Sequence, residues 1–136
     1  DERYAYSTPN GLIRRNCIFT EAANGLALQS RTAEGAKIAL FMLARECYDA
    51  RLGSVVFGCR NPAFIHDEVL VSIPNDEWMH ERAFRVADIM IAGMREVMTK
   101  GKVGAEPAVM LRWDKRAEKV LDANGRLQVW TPPQPK

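Results

Sequence analysis

Three consecutive polar residues, His66-Asp67-Glu68, stand between two short apolar runs in the middle of the chain. The flanking runs, 63–65 and 69–73, are rich in β-branched and aromatic residues, which are typical of strands. A tight turn between two paired strands would leave the carboxylates at the rim of a sheet, whereas burying them would be costly without a compensating cation. The segment therefore predicts a β-hairpin with an acidic turn.

The rest of the chain predicts two long helices on either side of this hairpin. Good helix formers and small alanines over 21–51 indicate the first helix, which we expect Gly53 to end. Asn75 is in position to cap the second. No linker is long enough to separate two domains. The predicted elements are a loop or hairpin over 1–20, a helix over 21–51, strands over 55–73, beginning with 55–57, a helix over 75–100, and a strand over 107–113 followed by a C-terminal arm to 136. In this last stretch Asn124-Gly125 indicates a hairpin or an arm, followed by an extended tail.

Composition bounds the class of protein. The chain has 136 residues, 47% hydrophobic and 26% charged, which is the balance of one globular domain. Its net charge of +2 is too small to indicate a nucleic-acid binder by bulk charge alone, so such a role would depend on local patches. Three widely spaced cysteines favour neither a disulfide framework nor a zinc module, and indicate a reducing compartment. No uncharged run approaches the roughly 20 residues of a membrane-spanning helix.

The acidic turn has two interpretations. Carboxylates at a sheet rim can hold Mg²⁺ together with substrate phosphates, because this cation prefers oxygen ligands. A two-metal centre would need a further carboxylate, and no second acidic strand is evident in this sequence. The alternative is a solvated hairpin turn that happens to be acidic. From the residues alone both remain open.

Two segments resemble family A DNA polymerases, the group that includes bacterial DNA polymerase I and many phage replicative enzymes. Residues 64–71, FIHDEVLV, resemble the motif C hairpin of this family. Upstream, 14–24 and 28–37 resemble the family segment that ends in Asn, a short spacer, Gln and a helix of small residues. Residues 112–119 are similar to the ends of phage members.

The resemblance implies an α+β fold, with an antiparallel β hairpin and sheet packed against two long α-helices over 1–136, as in the C-terminal part of a polymerase palm domain. Asp67 would be the motif C metal ligand, with Glu68 as its acidic catalytic neighbour. Gln29 would reach the minor groove of the nascent base pair, whose acceptors are common to all base pairs. The other DNA-contacting residues implied are His66 near the primer terminus, Asn24, Arg14 and Arg15.

Motif A and the fingers helix, which complete the active site in the family, have no match in this sequence. The resemblance therefore implies a split subunit or a fragment, which would transfer nucleotides to a primer 3′-hydroxyl with Mg²⁺ once a larger chain supplies those parts. Its partners would be primer–template DNA and dNTP, and it would not bind a membrane. We would expect to find it in the cytoplasm of a bacterial or phage-infected cell.

The sequence departs from the family at one point: four residues separate Asn24 from Gln29, where three are usual. A non-catalytic DNA-binding or assembly module that keeps the palm scaffold is one alternative, and an unrelated small α+β protein is another. A further expectation is a surface ion-pair face near the end of the chain, made by Arg112, Asp114, Lys115, Arg116, Glu118 and Lys119.

Overall fold

A computed structural model of the chain describes residues 2–134, apart from the side chains of Ala27 and Leu28. Pro135 and Lys136, the end of the predicted arm, lie outside the described residues. The fold mixes helices and strands, so the α+β class is confirmed. The elements are β1 (Tyr4–Ser7), β2 (Ile13–Cys17), α1 (Phe19–Asn24), a π-helical segment (Gly25–Gln29), α2 (Ser30–Tyr48), a 3₁₀ turn (Ala50–Leu52), β3 (Arg60–Ile65), β4 (Glu68–Ser72), α3 (Met79–Arg95), β5 (Val109–Met110), β6 (Val120–Leu121) and β7 (Leu127–Trp130).

Backbone contacts group the chain into two compact units, each assembled from two separate stretches. The first comprises 1–42 and 90–103, and the second comprises 43–89 and 104–136. Two of the division points fall within α2 and α3, and the third lies between Val103 and Gly104. The strands of residues 2–134 form three small sheets: β1 with β2, β3 with β4, and the order β5-β7-β6, in which β5 runs parallel and β6 antiparallel to β7.

Small residues allow the two helices of the first unit to approach closely. Ala36 and Ala39 are buried on α2, and Gly93 is buried opposite them on α3. A Cβ added to Gly93 would lie 2.5 Å from the backbone nitrogen of Ala39, which no real structure tolerates. The run of alanines in the first helix, which predicts close packing on a neighbour, is therefore explained by this crossing.

The second unit holds most of the fully buried side chains and fastens the C-terminal hairpin to the start of α3. His80 Nδ1 accepts a hydrogen bond from the Leu127 backbone N–H at 3.0 Å, and Arg126 pairs with Glu81 at 2.9 Å. The Asn124-Gly125 turn joins β6 to β7 as predicted. The buried apolar side chains of this unit are Leu43, Cys47, Val56, Cys59, Ala83, Ala87, Ile89 and Leu127.

Two expectations for the segment after the first helix are wrong. The helix over 21–51 begins earlier, at Phe19, and ends at Tyr48, so Gly53 ends the short 3₁₀ turn, with a φ of 59°. Residues 55–57 form a turn and not a strand. The Gly58 N–H donates to the Cys47 carbonyl at 2.9 Å and Val56 is fully buried, so tertiary burial overrides the strand propensity of its neighbours.

The second helix is shorter than the 75–100 predicted, since it runs over Met79–Arg95. Asn75 does not cap it. Asp76 instead accepts a hydrogen bond from the Trp78 N–H at 2.9 Å and pairs with Arg82, which holds the turn before the helix. The strand predicted over 107–113 is limited to Val109–Met110.

Candidate functional site

The acidic residues lie in a two-residue turn that joins β3 to β4. The strands pair antiparallel, and Ile65 opposite Glu68 closes the ladder next to the turn. His66 and Asp67 make the turn itself, and the φ of His66 is 55°, in the left-handed region. The hairpin predicted from the flanking apolar runs is therefore confirmed, and its tip carries the motif-like residues.

The turn presents its polar groups to solvent. His66, Asp67 and Glu68 are all exposed, and within residues 2–134 the Asp67 carboxylate accepts no hydrogen bond. Glu68 Oε2 accepts one from the Trp113 indole N–H at 3.4 Å. Asp67 is thus free to bind an external cation, whereas Glu68 is held on one side by an aromatic neighbour.

The donor set at this turn fits part of a magnesium site. Two adjacent carboxylates offer hard oxygen ligands, and Mg²⁺ often takes only one or two carboxylates and completes its shell with water and phosphate. No group of three or more His, Cys, Asp or Glu side chains arranged to hold a metal occurs in the described part of the chain. Further ligands would therefore come from outside it.

The other predicted site residues belong to the first unit. Arg14 and Arg15 are consecutive on β2 and both are exposed. Because side chains alternate across a strand, the two guanidinium groups point to opposite faces and do not form one patch. Asn24 and Gln29 are also exposed, at the end of α1 and the end of the π segment.

The π segment accounts for the extra residue between Asn24 and Gln29. The Ser30 N–H donates to the Gly25 carbonyl, a hydrogen bond spanning five residues where an α-helix spans four. Residues five apart therefore align here much as residues four apart do in an α-helix. The helix continues without a break, and the departure from the family spacing is absorbed inside it.

Tyr6 on β1 packs directly against this segment. Its hydroxyl forms a 2.9 Å hydrogen bond with Ser30 Oγ, and a Cβ added to Gly25 would overlap the tyrosine ring, 2.7 Å from Cζ. Gly25 is therefore required by a close approach. The N-terminal hairpin supports the segment that carries Gln29.

Comparisons with known proteins give no family for this chain. No protein-family model, no curated protein and no solved structure matches it. Within residues 2–134, no helix combines the length and the apolar character needed to cross a membrane. The polymerase resemblance therefore stands on the residues that carry it.

Trp113 is the residue near the turn that the sequence did not single out. Its hydrogen bond with Glu68 joins residues 45 positions apart, and no local spacing pattern predicts such a pair. The segment around it partly forms the ion-pair face expected there, since Arg116 pairs with Asp114 at 2.7 Å and Lys119 with Glu106 at 3.2 Å. The resemblance of 112–119 to phage polymerase ends was the one available signal.

Proposed function

We propose that this chain is the C-terminal palm part of a DNA-directed DNA polymerase and contributes the Asp67 carboxylate to nucleotidyl transfer. The observation that carries the proposal is the exposed Asp67 at the tip of the β3–β4 turn, whose carboxylate has no partner among the residues that the structure describes. It is supported by the order of the two sequence segments that resemble the family. The α+β fold and the hairpin are compatible with it.

The chain's own residues would bind and orient the reactants. Asp67 and Glu68 would hold Mg²⁺, which when bound neutralises phosphate charge and stabilises the attacking and leaving oxygens. His66, at the same tip, would contact the primer terminus. The antiparallel ladder that ends at the Ile65–Glu68 pair would hold these groups next to one another, as catalysis by positioning requires.

The upstream residues would monitor the nascent base pair. The Gln29 side-chain amide can donate to the minor-groove acceptors that all base pairs share, so it would test shape without reading sequence. The π segment brings Asn24 toward the same helix face. One of the two β2 arginines would contact the DNA backbone, since they face opposite ways.

The proposal requires a further chain or segment that carries motif A and the fingers. It leads us to expect apolar surface on the long first helix, where that part would pack. Phe41 on α2 is 65% exposed, and Tyr48, the last residue of this helix, is 63% exposed. This surface supports the requirement.

The test is primer extension by the assembled enzyme, purified with the polypeptide that accompanies the chain in its own cells and checked by native mass spectrometry. We expect Asp67→Asn to reduce extension with Mg²⁺ by at least about a hundredfold, because a metal ligand of the transition state is removed. Asp88→Asn, which changes an exposed aspartate on α3, is the matched control.

The mass of the assembly should be unchanged in both variants. Extension by Asp67→Asn within severalfold of wild type would refute the assignment. DNA binding without extension, in wild type and in every assembly, would favour the alternative of a non-catalytic DNA-binding or assembly module.

A further inference from the structure

Trp113 is presented to solvent on a bend that the structure holds in shape. The Asp114 N–H donates to Met110 Sδ at 3.2 Å, and the Ala117 N–H donates to the Asp114 carbonyl at 2.9 Å. Met110 belongs to β5, so the bend is tied to the three-stranded sheet. The indole is 51% exposed although it is fixed at its N–H by Glu68.

The charged residues next to Trp113 in the sequence differ in whether they are paired. Arg116 forms an ion pair with Asp114. The hydrogen bond from the Arg116 side chain, followed by that from its backbone N–H, lowers the pKa of Asp114 to about 2. Arg112 and Lys115 are exposed and form no ion pair within the described residues. Trp113 thus has two free cations as chain neighbours and a carboxylate at its N–H edge.

This combination suits single-stranded nucleic acid. Aromatic side chains stack unpaired bases, and nearby Lys and Arg neutralise the phosphates. The carboxylates at the acidic turn repel phosphate but not an uncharged base. A strand that stacks a base on the indole would therefore bring its phosphates near the unpaired Arg112 and Lys115.

We propose that Trp113 is a stacking site for an unpaired base of single-stranded DNA, with Arg112 and Lys115 binding its phosphates. The inference deepens the proposed function, on which it rests, by placing the single-stranded part of the DNA beside the acidic turn.

The experiment measures binding of the full chain to a fluorescein-labelled twelve-nucleotide oligo-dT by anisotropy and by quenching of tryptophan fluorescence. Trp113→Ala should weaken binding by about tenfold and remove the quenching, with Trp113→Phe recovering part of the affinity through its ring. Trp78→Ala is the matched control, because Trp78 is equally exposed at 51% but lies beside Glu81 and Arg126.

Two further measurements separate the stacking from the charges. The affinity for an abasic strand of the same length should be the same in wild type and in Trp113→Ala, because no base remains to stack. Replacing Arg112 and Lys115 by alanine should lower the slope of log affinity against log salt by about 1.4, or about 0.7 for each phosphate that is no longer neutralised.

Equal affinities of Trp113→Ala and Trp78→Ala for oligo-dT, or a wild type that does not bind it, would overturn the inference. Comparison with the Asp67 assay separates it from the proposed function. Trp113-dependent binding without Asp67-dependent extension would refute only the polymerase assignment. Asp67-dependent extension without Trp113-dependent binding would refute only the stacking site.

Discussion

His66 has a backbone conformation that residues other than glycine rarely adopt. It lies at the tip of the turn, next to Asp67. Its φ of 55° lies in the left-handed region, where a residue with a Cβ carries strain of about 1 kcal/mol. Glycine takes this conformation freely and is the usual choice in such turns. A histidine kept there despite the strain points to a use for its side chain.

We therefore expect His66→Gly to affect stability and activity in opposite directions. Relief of backbone strain should raise the free energy of unfolding by roughly 1 kcal/mol, as measured by urea denaturation. Loss of the imidazole should lower primer extension by the assembled enzyme, because nothing then touches the primer terminus from this position.

Asn16→Gly is the control for this pair of measurements. Asn16 has a φ of 62° but lies on β2, away from the acidic turn in sequence, so its replacement should leave extension unchanged. Unaltered extension by His66→Gly would show that the histidine has no role at the primer terminus.

Among the elements, the π segment bears most directly on the proposed role of Gln29 and Asn24. One extra residue in an α-helix would rotate all later side chains by a quarter turn or more, yet the five-residue hydrogen bond from Ser30 to Gly25 absorbs it. Deleting one residue of the segment should then restore an ordinary α-helix. The relative direction of Asn24 and Gln29 would be kept.

The prediction is that deletion of Leu26 leaves extension and mismatch discrimination within roughly threefold of wild type, since the two amides stay on one face. Insertion of an alanine after Leu26 should lower discrimination as strongly as Gln29→Ala does. Single-nucleotide extension from matched and mismatched primers measures both. Equal loss in the deletion and insertion variants would contradict the role given to the segment.

The local sequence predicted those elements in which the tertiary contacts favour the same structure as the intrinsic propensity of the residues. The β3–β4 hairpin and the Asn124-Gly125 turn follow from polar residues between apolar runs. The strand predicted over 55–57 was wrong because Val56 is buried in a turn. That turn is held by a hydrogen bond to Cys47, which belongs to a separate segment. The sequence shows that four residues separate Asn24 from Gln29. It does not show whether the helix accommodates the fourth residue in a π-helical turn.

The candidate site was predictable only in its local part. His66, Asp67 and Glu68 come together because they are consecutive in the chain. Trp113 reaches Glu68 through the fold, over a separation that no period of a helix or strand encodes. Trp113 could therefore be assigned to the acidic turn only from the structure.

At the scale of the whole molecule, we expect an ion pair in the second unit, which connects two helices, to contribute to stability in a pH-dependent way. Glu46 on α2 receives hydrogen bonds from Arg85 on α3, at 2.5 and 2.9 Å, and from Ser54 at 2.6 Å. The hydrogen bonds from Arg85 are the main cause that lowers the pKa of Glu46. Burial raises it, whereas the hydrogen bond from Ser54 and the charge of Arg85 lower it further. The charged form is therefore favoured by folding.

The sign of the resulting pH dependence follows from linkage. A carboxylate whose pKa is lower in the folded state contributes stability above its ordinary pKa of 4.5, and loses it as the pH falls through the folded value. Glu46→Gln should therefore unfold more easily at pH 7, by about 1 kcal/mol, given that Arg85 is partly solvated. The difference from wild type should shrink as the pH falls below 4.5.

Urea denaturation at pH 7, 5 and 3 measures this convergence. Glu96→Gln, which changes an exposed glutamate without an ion pair in the described residues, should run parallel to wild type at every pH. A Glu46→Gln deficit that stays constant down to pH 3 would mean that the glutamate acts through packing and its hydroxyl partner. In that case protonation would leave its contribution intact, and the charge on Arg85 would have no part in joining α2 to α3.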